Sequence, residues 1–395
     1  MRGLWQPQSD SGVGACDVRL ANDAARERLH ETFVSLCRIE SPSRHERACA
    51  DWVIRELRSF GLEVQEDGVG ARLGSDAGNL LARIPGPDAR SILLCAHLDT
   101  VPPTAPIEPV LVDGGFRNAN EGILGADNKA AVAVILELAR RLTATPRKPP
   151  IGLELLFTVC EEISLAGSDA FDTSSLQSSL GFVFDHATPI GEIVIASPTH
   201  YRVTAELHGR AAHAGVRPED GRSAIVAAAR AIAAMRLGRL APGVTANVGT
   251  ISGGTAINVV PERCRVDAEV RSLDEGQAEA LATEIVDHLH DAANDSECDL
   301  DVTVQRMFKG YRTRPRAAHV LLAERALVAS GYEPTHIVTG GASDANSFEA
   351  AGIACANLAD GTERNHEPGE RISVDALDGM LDVAIALVEE AGRGV

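Results

Sequence analysis

Residues 156–167 read "LFTVCEEISLAG", an apolar run that stops abruptly at two adjacent acids, Glu161 and Glu162. Neighbouring side chains on a strand point to opposite faces. The pair is therefore either a solvated strand end or a turn that aims both carboxylates into one site. Similar groups recur along the chain. "HLDT" puts His97 and Asp99 after the apolar run 91–96, and "GADNK" puts Asp127 at the opening of a helical pattern. "DH" places Asp185 and His186 after 181–184, and "TERNH" places His366 after "GIACANLADG". Singly, each has an ordinary reading. An Asp at a helix start is usually a cap, a lone His is more often structural than a ligand, and an acid at a strand end is usually solvated. Jointly, imidazoles and carboxylates follow successive elements, with neither C-x-x-C nor H-E-x-x-H present. That donor set suits Zn2+, Co2+ or Mn2+, and a shared carboxylate suits two metals. The H-x-D spacing lets Asp99 reach the second ring nitrogen of His97 and fix its tautomer. An acid left off the metals could move the proton in a hydrolysis.

The elements that must carry these groups follow from hydrophobic period. Residues 22–60 carry apolar positions at helical spacing, interrupted by "SPS" at 41–43. Strands are expected at 62–66, 78–86, 91–99, 151–159 and 179–186, with a helix at 128–142 and a loop between 99 and 124. The continuous apolar runs suit strands covered on both faces of a largely parallel sheet. In such sheets, ligands bind beyond the carboxyl ends of the strands. The pattern then changes to strand 200–207, helix 222–238, strands 244–251 and 262–272, helix 274–294 and strand 298–307. That β-α-β-β-α-β order is the ferredoxin-like signature. The fold expected is α/β: a three-layer α/β/α catalytic domain, 1–197 plus 312–395, with a ferredoxin-like α+β lid or dimerisation domain inserted at 198–311.

The 395 residues carry a net charge of −19, spread along the chain. This argues against nucleic acid or an anionic membrane as partner. Eight cysteines (16, 37, 49, 95, 160, 264, 298 and 355) form no C-x-x-C and lie in or near apolar runs, which suits reduced thiols in a cytoplasmic protein. The first twenty residues show no apolar h-region, and no 18-residue apolar run is present, so neither secretion nor a membrane span is expected. No G-x-S-x-G occurs, which disfavours a serine hydrolase. "GVGARLG" at 68–74 lacks the dinucleotide fingerprint's third glycine.

Eight motifs occur in order: "AHLDTVPP", "GADNKAAVA", "CEEISLAGS", "FVFDHATPIG", "HAGVRPEDGRSAI", "GTISGGTAINVVP", "GGASDANSF" and "NHEPGE". Together they resemble the dinuclear zinc exopeptidases that include aminoacylase, glutamate carboxypeptidase and peptidase T, with peptidase T-like members most similar. The resemblance covers about residues 25–390. It implies that His97 and Asp185 bind one zinc and Glu162 and His366 the other, with Asp127 bridging. It implies Asp99 as the orienter of His97, Glu161 as general base and His213 as the oxyanion-stabilising imidazole, in several members supplied by a partner subunit. Asn258, Arg271, Gly340 and Gly341 match substrate-contacting positions of some relatives. One departure stands out: peptidase T has an Arg immediately before the Gly-Gly pair, where this chain has Thr339. Asn128, His186, His200 and His208 are given no metal role, the last two being read as surface residues of the small domain.

The expected activity is hydrolysis of a peptide or amide bond in a small peptide-like substrate by a dizinc homodimer joined through the lid domain. The alternative within the class is a deacylase of N-acyl amino acids. A non-catalytic metal- or peptide-binding relative is the third reading, opposed by the complete ligand set with Glu161.

Overall fold

The computed structural model describes residues 21–146 and 148–394. The N-terminal twenty residues read above, with Cys16, lie outside the described residues.

The strand Ser91–His97 shows why the large domain is layered. Ile92, Leu94 and Ala96 point into one core, and Leu93 and Cys95 into another. With both faces apolar, both must be covered. The helices Asp23–Cys37, Arg47–Ser59, Ala126–Thr143, Ala318–Ala329 and Val374–Arg393 bury their apolar stripes on the first face. Phe348 of the helix Asp344–Ala350, with Phe171 and Tyr311, covers the second.

Nine strands form this sheet among the described residues. The centre runs Gly152–Thr158, Ser91–His97, Leu180–Phe184, Ala354–Leu358, and its neighbours are parallel. The flanks differ from the largely parallel expectation. Leu80–Ile84 joins one side antiparallel, and Glu192–Ser197 joins the other antiparallel. The sheet is therefore mixed, with a parallel centre. Glu192–Ser197 falls in a stretch that the sequence reading left unassigned.

The segment 99–124, expected as a loop, contains a hairpin, Pro109–Val112 with Gly115–Asn118. Asp113 and Gly114 both take positive φ (52° and 76°), as a two-residue primed turn requires. The hairpin pairs with Arg371–Ser373, which pairs with Thr362–Glu363. This small sheet frames the loop that carries His366.

The second sheet runs Gly238–Ala241, Val244–Gly253, Arg263–Ser272, Thr199–His208, Asp299–Phe308, with every pair antiparallel. Its first strand in sequence lies between the third and last long strands, the ferredoxin-like arrangement, with Gly238–Ala241 added at one edge. Helices Ala224–Ala234 and Glu275–Asp295 start at side-chain caps from Ser223 and Asp274. They pack Ala227, Ala231, Leu281 and Ile285 against Val203, Ala205, Val266 and Val270. The opposite face presents Arg202, Asp267 and Glu269 to a cleft of about 640 Å³, whose other wall includes Arg44, Glu162 and Ser164. No helix among the described residues is long and apolar enough to cross a membrane.

Candidate functional site

The strand Gly152–Thr158 ends before the paired acids, and Cys160 turns the chain with a left-handed φ of 57°. A non-glycine residue pays for that conformation and keeps it only where its surroundings hold it. Asp99 does part of the holding. Its Oδ1 accepts the Glu161 amide at 2.9 Å, and its Oδ2 accepts the Glu162 amide at 3.1 Å and the Ser43 hydroxyl at 2.7 Å. This changes the reading of Asp99. The carbonyl of Asp99, not its carboxylate, lies at hydrogen-bond distance from His97 Nδ1, 2.9 Å against 3.6 Å for Oδ1. The chain leaves strand geometry after His97, so the i,i+2 relation brings the backbone rather than the side chain to the ring.

The two acids then part. Glu162 Oε2 lies 3.0 Å from His366 Nε2, and its other oxygen is buried without a partner among the described residues. Glu161's carboxylate makes no hydrogen bond among the described residues, and His97 Nε2 is 4.0 Å from its Oε2. Asp127 sits between the imidazoles. Its Oδ1 is 3.2 Å from His97 Nε2, and its Oδ2 is 3.1 Å from His366 Nε2 and accepts from Asn365 Nδ2 at 3.0 Å. The helix it opens takes no side-chain cap, and Asp127 itself has non-helical dihedrals. The ordinary reading of Asp127 as a cap is thereby excluded. Asp185 Oδ1 lies 3.9 Å from His97 Nε2.

Two groups of ligand atoms, each within 4.8 Å of one another, result: His97, Glu161 and Asp185, and His97, Asp127 and Glu162. Burial pushes the Glu161 and Asp185 carboxyls well above the usual range, and neighbouring Asp185 and Asp127 respectively add to it. Glu162 is raised too, by burial first. Burial opposes charge on His97, but Asp127 and Asp99 outweigh it and raise that imidazole. His366 is raised to about 10 by Asp127 and Glu162. Four carboxyls thus crowd a buried imidazole, His97, and an exposed one, His366, with one Glu162 oxygen unpartnered among the described residues. Divalent cations fit such a donor set, because they offset its charge and use its unpaired oxygen.

The small-domain residues lie apart. His213 and Asn258 are exposed. His213 Nδ1 accepts from the Gly215 amide at 3.2 Å, and the Asn258 carbonyl accepts from the Ala214 amide at 2.9 Å. Neither makes a hydrogen bond to the acid cluster among the described residues. Arg271 does reach across: its guanidinium donates to the Gly340 carbonyl at 3.0 Å and to Glu269 at 3.1 Å. Gly341 donates its amide to Thr339 Oγ1 at 3.0 Å, and its carbonyl accepts from Ser197. His200, expected at the surface, is buried against Phe308 with Glu269 beside it. His208 pairs with Asp301 at the surface, and His186 is half-buried outside both ligand groups.

Three acids that the sequence reading did not single out support the site. Glu370 accepts the amides of Leu124, Gly125 and Asp127 at 2.8–2.9 Å, and so fixes the backbone that delivers Asp127. Its motif "NHEPGE" was visible, but no local pattern ties it to amides far earlier in the chain. Asp344 is buried, takes the Thr158 hydroxyl at 2.5 Å and keeps one oxygen unpartnered. Asp360 is buried and bonded to Thr362, and burial, then the charge of Asp127, push its carboxyl up to about 7.

Comparison with known proteins gives the same direction. The family described as "Peptidase family M28" matches residues 79–199, and "Peptidase dimerisation domain" matches residues 197–297. The uncharacterized protein YqjE of Bacillus subtilis is 34% identical over 368 residues, covering 93% of this chain and 99% of that one. The crystal structure of aminopeptidase PepT from Bacillus cereus is 35% identical with a TM-score of 0.83, covering 92% of this chain and 98% of the other. A tripeptidase from Staphylococcus aureus is 28% identical with a TM-score of 0.88, covering 93% and 99%. Alike to these in both sequence and fold along nearly its whole length, the chain belongs to the peptidase T-like family of metallopeptidases and is a hydrolase.

Proposed function

We propose that the chain is a two-metal exopeptidase that cleaves a short peptide, with Glu161 as general base. The observation that carries this is the division of labour at 161–162. Glu162 is engaged with His366, whereas the Glu161 carboxylate is buried beside the cluster without a hydrogen bond among the described residues. In this reading His97 and Asp185 hold one ion, Glu162 and His366 the other, and Asp127 both. Zinc suits the imidazole and carboxylate donors, and cobalt or manganese would be accepted by the same atoms. When bound, the ions supply electrophilic charge that acidifies water and polarises the scissile carbonyl. Glu161 accepts the water's proton and passes it to the leaving amine. His97 is kept in one orientation by the Asp99 carbonyl, and Asp99 keeps the two glutamates side by side.

His213 would donate to the oxyanion, and Asn258, Arg271 and the Gly340–Gly341 backbone would border the substrate. Because His213 is exposed and makes no hydrogen bond to the cluster among the described residues, in this reading it would act through domain closure or a second subunit. A homodimer through the small domain is supported by the dimerisation-domain match and by exposed Ile225, Val226, Ile251 and Ile257. A cytoplasmic location is supported by the seven described cysteines, all free and buried.

One observation favours the deacylase reading. Thr339 stands where peptidase T has Arg, and its hydroxyl is taken by Gly341, so this position offers no cation to a substrate carboxylate. The test is turnover by zinc-, cobalt- or manganese-reconstituted protein on tripeptides, their N-acetylated forms and N-acyl amino acids. Cleavage of free tripeptides, blocked by N-acetylation, is expected. Turnover confined to N-acyl amino acids would establish the deacylase instead, and no turnover with two metals bound would refute both.

A further inference from the structure

The turn that aims Glu161 and Glu162 is held from a second side. Glu46 is 0% exposed, yet no Lys, Arg or His pairs with it among the described residues. Its partners are donors of hydrogen bonds. Oε1 accepts the Cys160 amide at 3.0 Å, the Cys160 thiol at 3.3 Å and the Arg44 amide at 2.9 Å, and Oε2 accepts the Ser75 hydroxyl at 2.7 Å. Both amides belong to left-handed residues: φ is 57° at Cys160 and 76° at Arg44. One carboxylate oxygen thus fastens two backbone conformations that non-glycine residues otherwise avoid.

Glu46 and Asp99 work on one turn. Three consecutive amides, from Cys160 to Glu162, end on these two buried carboxylates. The segment that bears Glu46 is itself stitched to the strand end that bears Asp99. Ser41 Oγ donates to the Leu98 carbonyl at 2.8 Å, the Thr100 amide donates to the Ser41 carbonyl at 3.0 Å, and Ser43 Oγ donates to Asp99.

We propose that Glu46 is a positioning residue for hydrolysis: by clamping Cys160 it fixes where the Glu161 carboxylate points while Glu162 stays with His366 and Asp127. The proposal rests on the assignment of Glu161 as general base. The physical argument is a difference in support. Glu162 is held by a side-chain partner as well as by its amide, whereas among the described residues the Glu161 carboxylate has no hydrogen bond and only its backbone is fastened. Without Glu46, Cys160 can relax towards extended backbone, and the peptide joining it to Glu161 turns with it. A displacement of about 1 Å in a reacting group costs about 100-fold in rate.

The test compares E46A and E46Q with the parent and with E161Q, all reconstituted with metal. It reads kcat and KM on the best peptide of the panel, metal per chain and thermal midpoint. E46A is expected to lose about 100-fold in kcat, with KM nearly unchanged and metal retained. E46Q keeps an oxygen for both amides and an N–H that can bond Ser75, so it should recover most of that loss. A kcat in E46A close to the parent's overturns the proposal. So does a loss of kcat that matches the loss of metal or of folded protein, because that is stability alone. Should E46A fail to fold, Ser75→Ala decides: it removes only the second anchor, and a severalfold fall in kcat supports the clamp while an unchanged kcat overturns it. Full turnover in E161Q breaks the base assignment itself, whereas an inactive E161Q beside an unimpaired E46A breaks only the clamp.

Discussion

The two domains treat their chemistry-bearing residues in opposite ways. In the large domain, His97, Asp99, Asp127 and Glu161 are buried while His366 is exposed, and the buried carboxylates of Asp99 and Glu370 hold the backbone of Glu161, Glu162 and Asp127. In the small domain, His213 and Asn258 stand exposed on loops whose ties are mostly backbone hydrogen bonds. A buried carboxylate cluster is costly unless each group is paired or a cation is present, so the first set must be fixed in place within one chain. An exposed imidazole carries no such cost and can wait for an opposing surface. Under the proposed function, the large domain would hold its half of the site alone, and the small domain would offer a half that a motion or a second subunit must bring.

That contrast can be broken experimentally. The largest effect is expected from Glu161→Gln, which should lower kcat by about 100- to 10,000-fold while two metals per chain remain by elemental analysis. Next, His213→Ala should cost about 100- to 1,000-fold and leave metal content and thermal midpoint unchanged, as fits a residue outside the buried cluster. Mixing H213A with E161Q sharpens this further: regained turnover shows that His213 serves the partner's site, and none shows that it serves its own. Glu162→Gln should weaken binding of one of the two metals by at least about 10-fold, read by titration of chelator-treated protein, because the buried half depends on direct ligands.

The smallest effect concerns the buried half without metal. The folded Asp360 carboxyl titrates at about 7, and an unfolded one near 3.9. Between those values the folded chain keeps a proton that the unfolded chain has released, so metal-free stability falls as pH rises from about 4 to about 7. Asp360→Asn removes that loss and leaves an oxygen for Thr362. At pH 8 the metal-free variant should gain on the order of 1–3 kcal/mol over the parent by denaturant unfolding, and almost nothing at pH 4. Equal gains at both pH values would show that charge on Asp360 is not the cause.

Much of this was legible in the chain. The runs "SILLCAH" and "GLELLFT" are apolar on both faces apart from Glu154 and their end residues, so a doubly covered sheet followed directly. The ferredoxin-like order was equally plain, because strand 199–208 alternates and two capped helices follow in turn. What escaped were features of small length or long range. The hairpin at 109–118 had a signal in Asp113–Gly114, but strands of four residues give little periodicity. The role of Asp99 was only half visible: spacing suggested a ring contact, and the structure puts its carbonyl at 2.9 Å and its carboxylate at 3.6 Å from His97 Nδ1 and adds the carboxylate's bonds to the amides of Glu161 and Glu162. Glu370 and Glu46 act on backbone more than a hundred residues away in sequence. No periodicity or local motif encodes such a partner.

The central strand Ala354–Leu358 sits between Leu180–Phe184 and Glu192–Ser197. During synthesis, the five strands of the small sheet have all been made once Phe308 is added, whereas the large sheet still has a gap in its middle. His366 and Glu370 come later still. The nascent chain therefore carries a finished insert on an unfinished host, and the pocket that gathers Asp127, Glu162 and His366 cannot close until the stretch from Ala354 to Glu370 has been added.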